Sequence, residues 1–146
     1  MACACLKHIA GDRFIPYACG EPGETAREVD PVALATLRRA SMRAPVPQPA
    51  AWDTFRRMDS PRMDFVILLD AGVAQRQPSW PDQPETAVWT LPDALDGAPP
   101  PGELAERTMV MLHGLRRRLE LLAHLPLQGA SPADIRHDLR DIAYIG

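Results

Sequence analysis

Met63-Asp64-Phe65-Val66-Ile67-Leu68-Leu69 (MDFVILL) is the stretch that decides the fold. It is continuous in apolar character and rich in β-branched residues. That is the pattern of a parallel strand covered on both faces by helices, not the alternation of a half-solvated one. Parallel strands need long crossovers, so the stretch predicts an α/β chain.

Downstream of Asp70 the chain turns polar, with Pro78, Pro81 and Pro84, and a last strand is expected from Glu85 to Trp89. Pro99-Pro100-Pro101 marks a loop. From Glu103, the residues Leu104, Thr108, Leu112, Leu115, Leu119 and Leu122 recur at three and four, which specifies a long helix ending before Pro126. Ser131-Pro132-Ala133-Asp134 is a capping arrangement, and Ile135, Leu139 and Ile142 give a final helix one apolar face.

Upstream, the prolines at 45, 47 and 49 exclude helix and predict an extended, polyproline-like segment over Ala44 to Pro49. A short helix from Ala50 to Met58 is expected next, anchored by Trp52 and Phe55. Asp30-Pro31 is an N-cap followed by a first-turn proline, so a helix is expected from Pro31 to about Met42. Its stripe is Val32, Ala35, Leu37 and Ala40, with Arg38 and Arg39 off it. Cys19 to Val29 reads as a loop. Phe14 to Ala18 (FIPYA) reads as a strand that Pro16 confines to a sheet edge. The opening helix runs to about Ala10 and stops at Gly11, a residue suited to the left-handed conformation of a helix end. No strand or phosphate-binding loop precedes it, although in open α/β sheets the active site lies where a strand turns into its helix.

Length and composition fit one globular domain over residues 1–146: apolar residues make up 46% and charged residues 24%. The net charge of −3 comes without a basic face, which argues against a nucleic-acid partner. The longest apolar run, Phe65 to Leu69, is far short of the roughly 20 residues of a membrane span. A cytoplasmic protein is expected. Cys3, Cys5 and Cys19 form an odd count in a chain large enough to fold unstapled, so reduced thiols are the default.

The order of these landmarks resembles the low-molecular-weight protein tyrosine phosphatases, and within them the small thiol-dependent arsenate reductases. Leu6-Lys7-His8 to Gly11-Asp12-Arg13-Phe14 is similar to the end of that family's first helix and the start of its second strand, and Tyr17-Ala18-Cys19-Gly20 to that strand's exit. Asp30-Pro31 with Ala33-Leu34 and Leu37, then Trp52-Asp53-Thr54-Phe55, then Met63-Asp64-Phe65-Val66-Ile67 resemble successive landmarks. Trp80-Pro81-Asp82-Gln83-Pro84, Trp89, Pro92-Asp93 and the run Leu115-Arg116-Arg117-Arg118-Leu119-Glu120-Leu121 with Leu125-Pro126-Leu127 point to the arsenate-reductase branch.

The resemblance implies a parallel sheet of four strands flanked by helices. It also implies a site of cysteine, five residues and arginine, whose amides hold an oxyanion at a helix N-terminus and lower the cysteine pKa. That loop is absent: positions 9 and 11, where Cys3 and Cys5 would need arginine, are Ile9 and Gly11. Reductases of this branch relay oxidation through two further cysteines, but Leu69 to Pro78 contains none, and Gln77 stands just before the proline. Asp93 matches the family's general-acid aspartate, followed by Ala94 where the family usually has proline. The plainer reading of Asp93 is a loop residue before Asp96-Gly97.

Other candidates have plainer readings too. Cys3-x-Cys5 invites a soft-metal site with Cys19, but two residues apart on a helix they face apart, and small buried thiols explain them. His8, His113, His124 and His137 show no ligand spacing. The Arg116 to Arg118 run reads as a solvated face, and Trp52, Trp80 and Trp89 as packing against the sheet.

The expected fold is therefore an α/β three-layer sandwich with a short parallel sheet, phosphotyrosine phosphatase I-like, missing its first, central strand. The expected function is that of an arsenate reductase or phosphatase-like protein, non-catalytic as it stands. The alternative is an incomplete form of an active phosphatase, or of an external-thiol-dependent arsenate reductase, whose start lies upstream. No cofactor and no metal are expected. Loss of the central strand would leave open edges. Either Phe14 to Ala18 and Met63 to Leu69 pair directly, or a homodimer or strand-donating partner fills the gap. A small oxyanion would bind only if the upstream loop exists.

Overall fold

The computed structural model describes residues 1–145. It is a mixed α/β chain in the order α1 (Ala2–Ala10), α2 (Pro31–Arg39), a 3-10 turn (Trp52–Phe55), β1 (Phe65–Leu68), α3 (Ala71–Arg76), β2 (Glu85–Val88), α4 (Pro101–Ala123) and α5 (Pro132–Ala143). The residues gather into two compact units. One holds Met1–Ala18, Ala26–Pro49 and Leu91–Ala123, and the other Cys19–Thr25, Ala50–Thr90 and 124–145.

The helical unit is organised by α4. Its buried stripe of Thr108, Leu112, Leu115, Leu119 and Leu122 follows the three- and four-residue spacing of the sequence, and α1 and α2 pack against the helix. Each leucine buried in this way contributes about 1.5–3 kcal/mol. At the far end of α4 the Arg13 guanidinium donates to the Ala123 carbonyl, a cation on a helix C-terminus. In α1 the buried positions are Ala4, Cys5 and Ala10.

Several expectations are corrected in this unit. Gly11 ends α1 without a left-handed backbone, at φ −66°. Glycine is needed for space, since a Cβ there would sit 2.5 Å from the Lys7 carbonyl oxygen. The second helix stops at Arg39, short of Met42. Ser41 turns left-handed at φ 60°, and the Ser41 and Met42 amides fold back onto the Arg38 and Leu37 carbonyls at 3.0 and 2.9 Å. This is a Schellman ending, with Leu37 and Met42 both buried around it. The buried face of α2 centres on Thr36 and Leu37, leaving Ala35 exposed. Phe14 to Ala18 forms no strand. Pro16 has no donor, its carbonyl accepts instead from Cys3 Sγ at 3.4 Å, and Ile15 is 81% exposed.

In the other unit β1 and β2 are parallel, with Phe65 opposite Glu85 and Leu68 opposite Val88. The Trp89 amide extends the ladder onto the Leu68 carbonyl at 2.8 Å. Among the described residues β1 has no other ladder partner, so the direct pairing considered above is not formed. The strand is also less covered than its composition predicts, because only Leu68 is buried in a sheet of two strands. Between the strands in sequence runs α3, in the polar stretch to which the sequence reading assigns no helix. Asp70 Oδ1 accepts from the Val73 amide at 2.9 Å and starts a helix too short to show an apolar period. The helix expected over Ala50 to Met58 is reduced to the 3-10 turn. The Trp52 amide is drawn to the Gly20 carbonyl at 2.9 Å, and Arg56 bonds back only three residues, to Asp53.

On β2 lies α5, capped by Ser131, whose Oγ accepts from the Asp134 amide at 3.1 Å. Trp89 is fully buried, and its indole N–H donates to the Leu139 carbonyl at 2.9 Å. Arg136 clasps Glu85 through two hydrogen bonds of 2.8 and 3.1 Å. Trp52 meets Trp80 edge to face at 6.4 Å.

Candidate functional site

Asp93, the candidate catalytic position, follows β2 by a few residues, where the chain leaves the strand through Thr90-Leu91-Pro92. Asp93 starts a tight turn. Its Oδ1 accepts from the Leu95 amide at 2.9 Å and its carbonyl accepts from the Asp96 amide at 3.2 Å. This is the Asx geometry that aspartate supplies to turns. Gly97 and Ala98 continue it with φ of 72° and 48°. Arg107 on α4 pins the turn by donating to the Asp96 carbonyl at 2.7 Å while pairing with Glu103. Ala94 is buried where the family resemblance expects proline, and the Asp93 side chain is exposed. One carboxylate oxygen of this exposed residue is thus held by the backbone.

The thiols are not prepared for nucleophilic work. Burial pushes the Cys5 pKa up, against the opposing influence of Arg116, and burial likewise raises Cys3. Both are therefore neutral thiols at physiological pH, the reverse of an activated cysteine. Cys3 spends its S–H on the Pro16 carbonyl. Cys19 is exposed. Among the described residues no group of three or more His, Cys, Asp or Glu side chains is gathered to hold a metal ion.

In the stretch compared with the relay segment, Gln77 accepts from the Trp80 indole at 3.0 Å, and Arg76 binds Glu21 through three hydrogen bonds of 2.9–3.1 Å. That contact holds the Glu21 carboxyl below its usual range. The segment is tied down by polar side chains rather than by thiols.

The arginine run divides. Arg116 is exposed and pairs with Glu120 at 2.8 Å, and Arg117 is exposed, as a solvated face requires. Arg118 is only 8% exposed, which corrects the uniform reading. It borders the leucine stripe, and Gly114 one turn back leaves it room: a Cβ there would sit 3.3 Å from Arg118 Nη1. Nη1 donates to the Gly114 carbonyl at 3.2 Å, while the buried Nε has no partner. Only the glycine at one-turn spacing signals this in the sequence. All four histidines are exposed, and His137 stands 3.4 Å from Asp141, an i,i+4 pair that the spacing argument passed over. No helix among the described residues is long and apolar enough to cross a membrane. No protein-family model matches the chain, and no curated protein does.

Proposed function

We propose that the chain is built on the three-layer, phosphotyrosine phosphatase I-like scaffold of the low-molecular-weight phosphatases, in the arsenate reductase-like branch. We further propose that it does not run that family's thiol chemistry with the residues it holds. The observation that carries the reading is the β1–α3–β2 unit, with parallel strands, followed by the Asp93 turn and then by the long α4. In α/β chains the segment that follows a parallel strand commonly carries functional groups. The elements also follow in the order in which the sequence landmarks resemble the family.

Three observations support the absence of chemistry. No cysteine in the chain is followed six positions later by arginine. Burial keeps Cys3 and Cys5 as thiols. The Asp93 carboxylate, the family's general-acid position, is engaged in its own turn. A binding role remains, and the open edge of β1 supports one. The Asp64 and Leu68 carbonyls accept from β2, so the backbone groups of Phe65 and Ile67 point to the other edge. Such an edge takes a strand from a second copy or another chain.

The test is turnover. Purified protein given an aryl phosphate, and separately arsenate with added thiol, is expected to run at the buffer rate. A rate above that, lost on alkylating the cysteines, would refute the non-catalytic reading. Sedimentation over a range of concentrations reads the edge proposal in parallel: self-association removed by Ile67→Pro supports a second copy as strand donor.

A further inference from the structure

We propose that the open edge of β1 pairs with β1 of a second copy of the chain, antiparallel, about a two-fold axis at Val66. This pairing rests on the open edge described above and gives it a partner and a register. The Phe65 and Ile67 backbone groups point away from β2, because β2 bonds to Asp64 and Leu68 on its own side. From Phe65 to Leu69 the edge carries no proline, glycine or charged residue, so the devices that keep edges apart are missing from it. The outer edge of β2 is blunted instead, by Pro84 before it and by Glu85 and Thr86 in its first half.

Three observations select a second copy in this register. The first is hydrogen bonding. A two-fold axis at Val66 sets Phe65 opposite Ile67 of the second copy, and Ile67 opposite its Phe65. All of these have outward backbone groups, so each pair exchanges both its N–H···O bonds. Moving the axis to Phe65 would set Ile67 against Met63, outside the strand. Moving it to Ile67 would set Asp64 against Asp70, like charges face to face. The second is charge. The Val66 axis sets Arg62 opposite Asp70 on both sides of the two-fold. Both are exposed, and neither forms an ion pair among the described residues. Asp70 keeps an extended backbone at φ −137° and ψ 126°, which carries the line of the strand out to it. The third is the side-chain row. On one face the register sets Met63 against Leu69 and Phe65 against Ile67, apolar throughout, and Leu69 is 37% exposed in the single chain. An antiparallel two-fold uses the same edge on both copies and closes, whereas parallel pairing of two copies would not.

The experiment is sedimentation of the full chain over a range of concentrations at low and high salt. A monomer–dimer equilibrium that weakens as salt rises is expected. Arg62→Glu alters an exposed side chain, so it should melt as the parent does and dimerise about fivefold or more weakly. The register is read by cross-linking. Across the axis the two Val66 Cα atoms would lie about 4.5 Å apart, within disulfide range. In a Cys3→Ser/Cys19→Ser background, Val66→Cys should therefore give a covalent dimer on mild oxidation, and Val88→Cys, exposed on β2, should not. The proposal is overturned if the parent is monomeric at about 0.5 mM. It is equally overturned if Arg62→Glu dimerises as tightly as the parent, or if Val66→Cys cross-links no better than Val88→Cys. A monomeric parent would leave the turnover test of the non-catalytic reading untouched, so the two fail separately.

Discussion

Trp89→Phe tests the join between β2 and α5. Trp89 is fully buried and its indole N–H donates to the Leu139 carbonyl, itself part of a fully buried residue. Phenylalanine cannot donate, which removes a bond whose net contribution is about 0.5–1.5 kcal/mol. It also leaves roughly 40 Å³ unfilled, or about 1 kcal/mol at about 24 cal/mol per Å³ of cavity. The expected loss is therefore about 1.5–2.5 kcal/mol. For a chain of this size that lowers Tm by about 2–4 °C per kcal/mol. Urea unfolding followed by far-ultraviolet circular dichroism measures it without relying on the indole that is removed. Trp80→Phe is the control, because its indole bonds to Gln77 at a half-exposed position and should lose less than about 1 kcal/mol. If Trp89→Phe unfolds within about 0.5 kcal/mol of the parent, the buried bond does not hold α5 to the sheet and the packing argument fails.

Other consequences follow from single residues. Replacing Arg118 with Met removes a buried, unpartnered Nε at the loss of the Nη1 bond to the Gly114 carbonyl and should raise stability by about 1 kcal/mol, whereas a loss in the same urea experiment would mean that Nε too has a partner in solution. Cys5 carries a raised pKa in the native chain, so above about pH 9 the unfolded chain releases its thiol proton first and stability should fall as pH rises; Cys5→Ala should flatten that limb of a Tm-against-pH curve. Asp93→Asn keeps an acceptor for the Leu95 amide and should be nearly neutral, while Asp93→Ala should cost about 0.5–1 kcal/mol in the same unfolding assay.

The parts of the fold legible in the sequence are those written in repeated side chains. The stripe from Leu104 to Leu122, the Ser131 cap and the apolar run at Phe65 each mark an element directly, and α4, α5 and β1 follow. Elements decided by a single contact are not legible in this way. The six residues of α3 depend on the Asp70 cap, and α2 ends where Ser41 adopts a left-handed backbone that its sequence does not announce. Phe14 to Ala18 has strand composition, but a strand exists only with a partner, and its Pro16 carbonyl is taken by a thiol. The site divides similarly. The missing thiol motif is read from spacing alone. The Asx role of Asp93, the burial of Arg118 and the open edge of β1 depend on how distant residues fold together.

The measurement that tests the central claim most directly is oxyanion binding. The proposed phosphatase-like scaffold would hold an anion at the N-terminus of the helix matched by α1, where the chain carries Cys3 and the buried Cys5 without the Cys-x5-Arg spacing. Titrating phosphate and then arsenate while following the backbone amides should give no saturable shift at Ala2 to Cys5 and no oxyanion-dependent rise in Tm. Saturable binding at those amides, removed by Cys3→Ser or Cys5→Ser, would contradict the account and restore a catalytic reading of the chain.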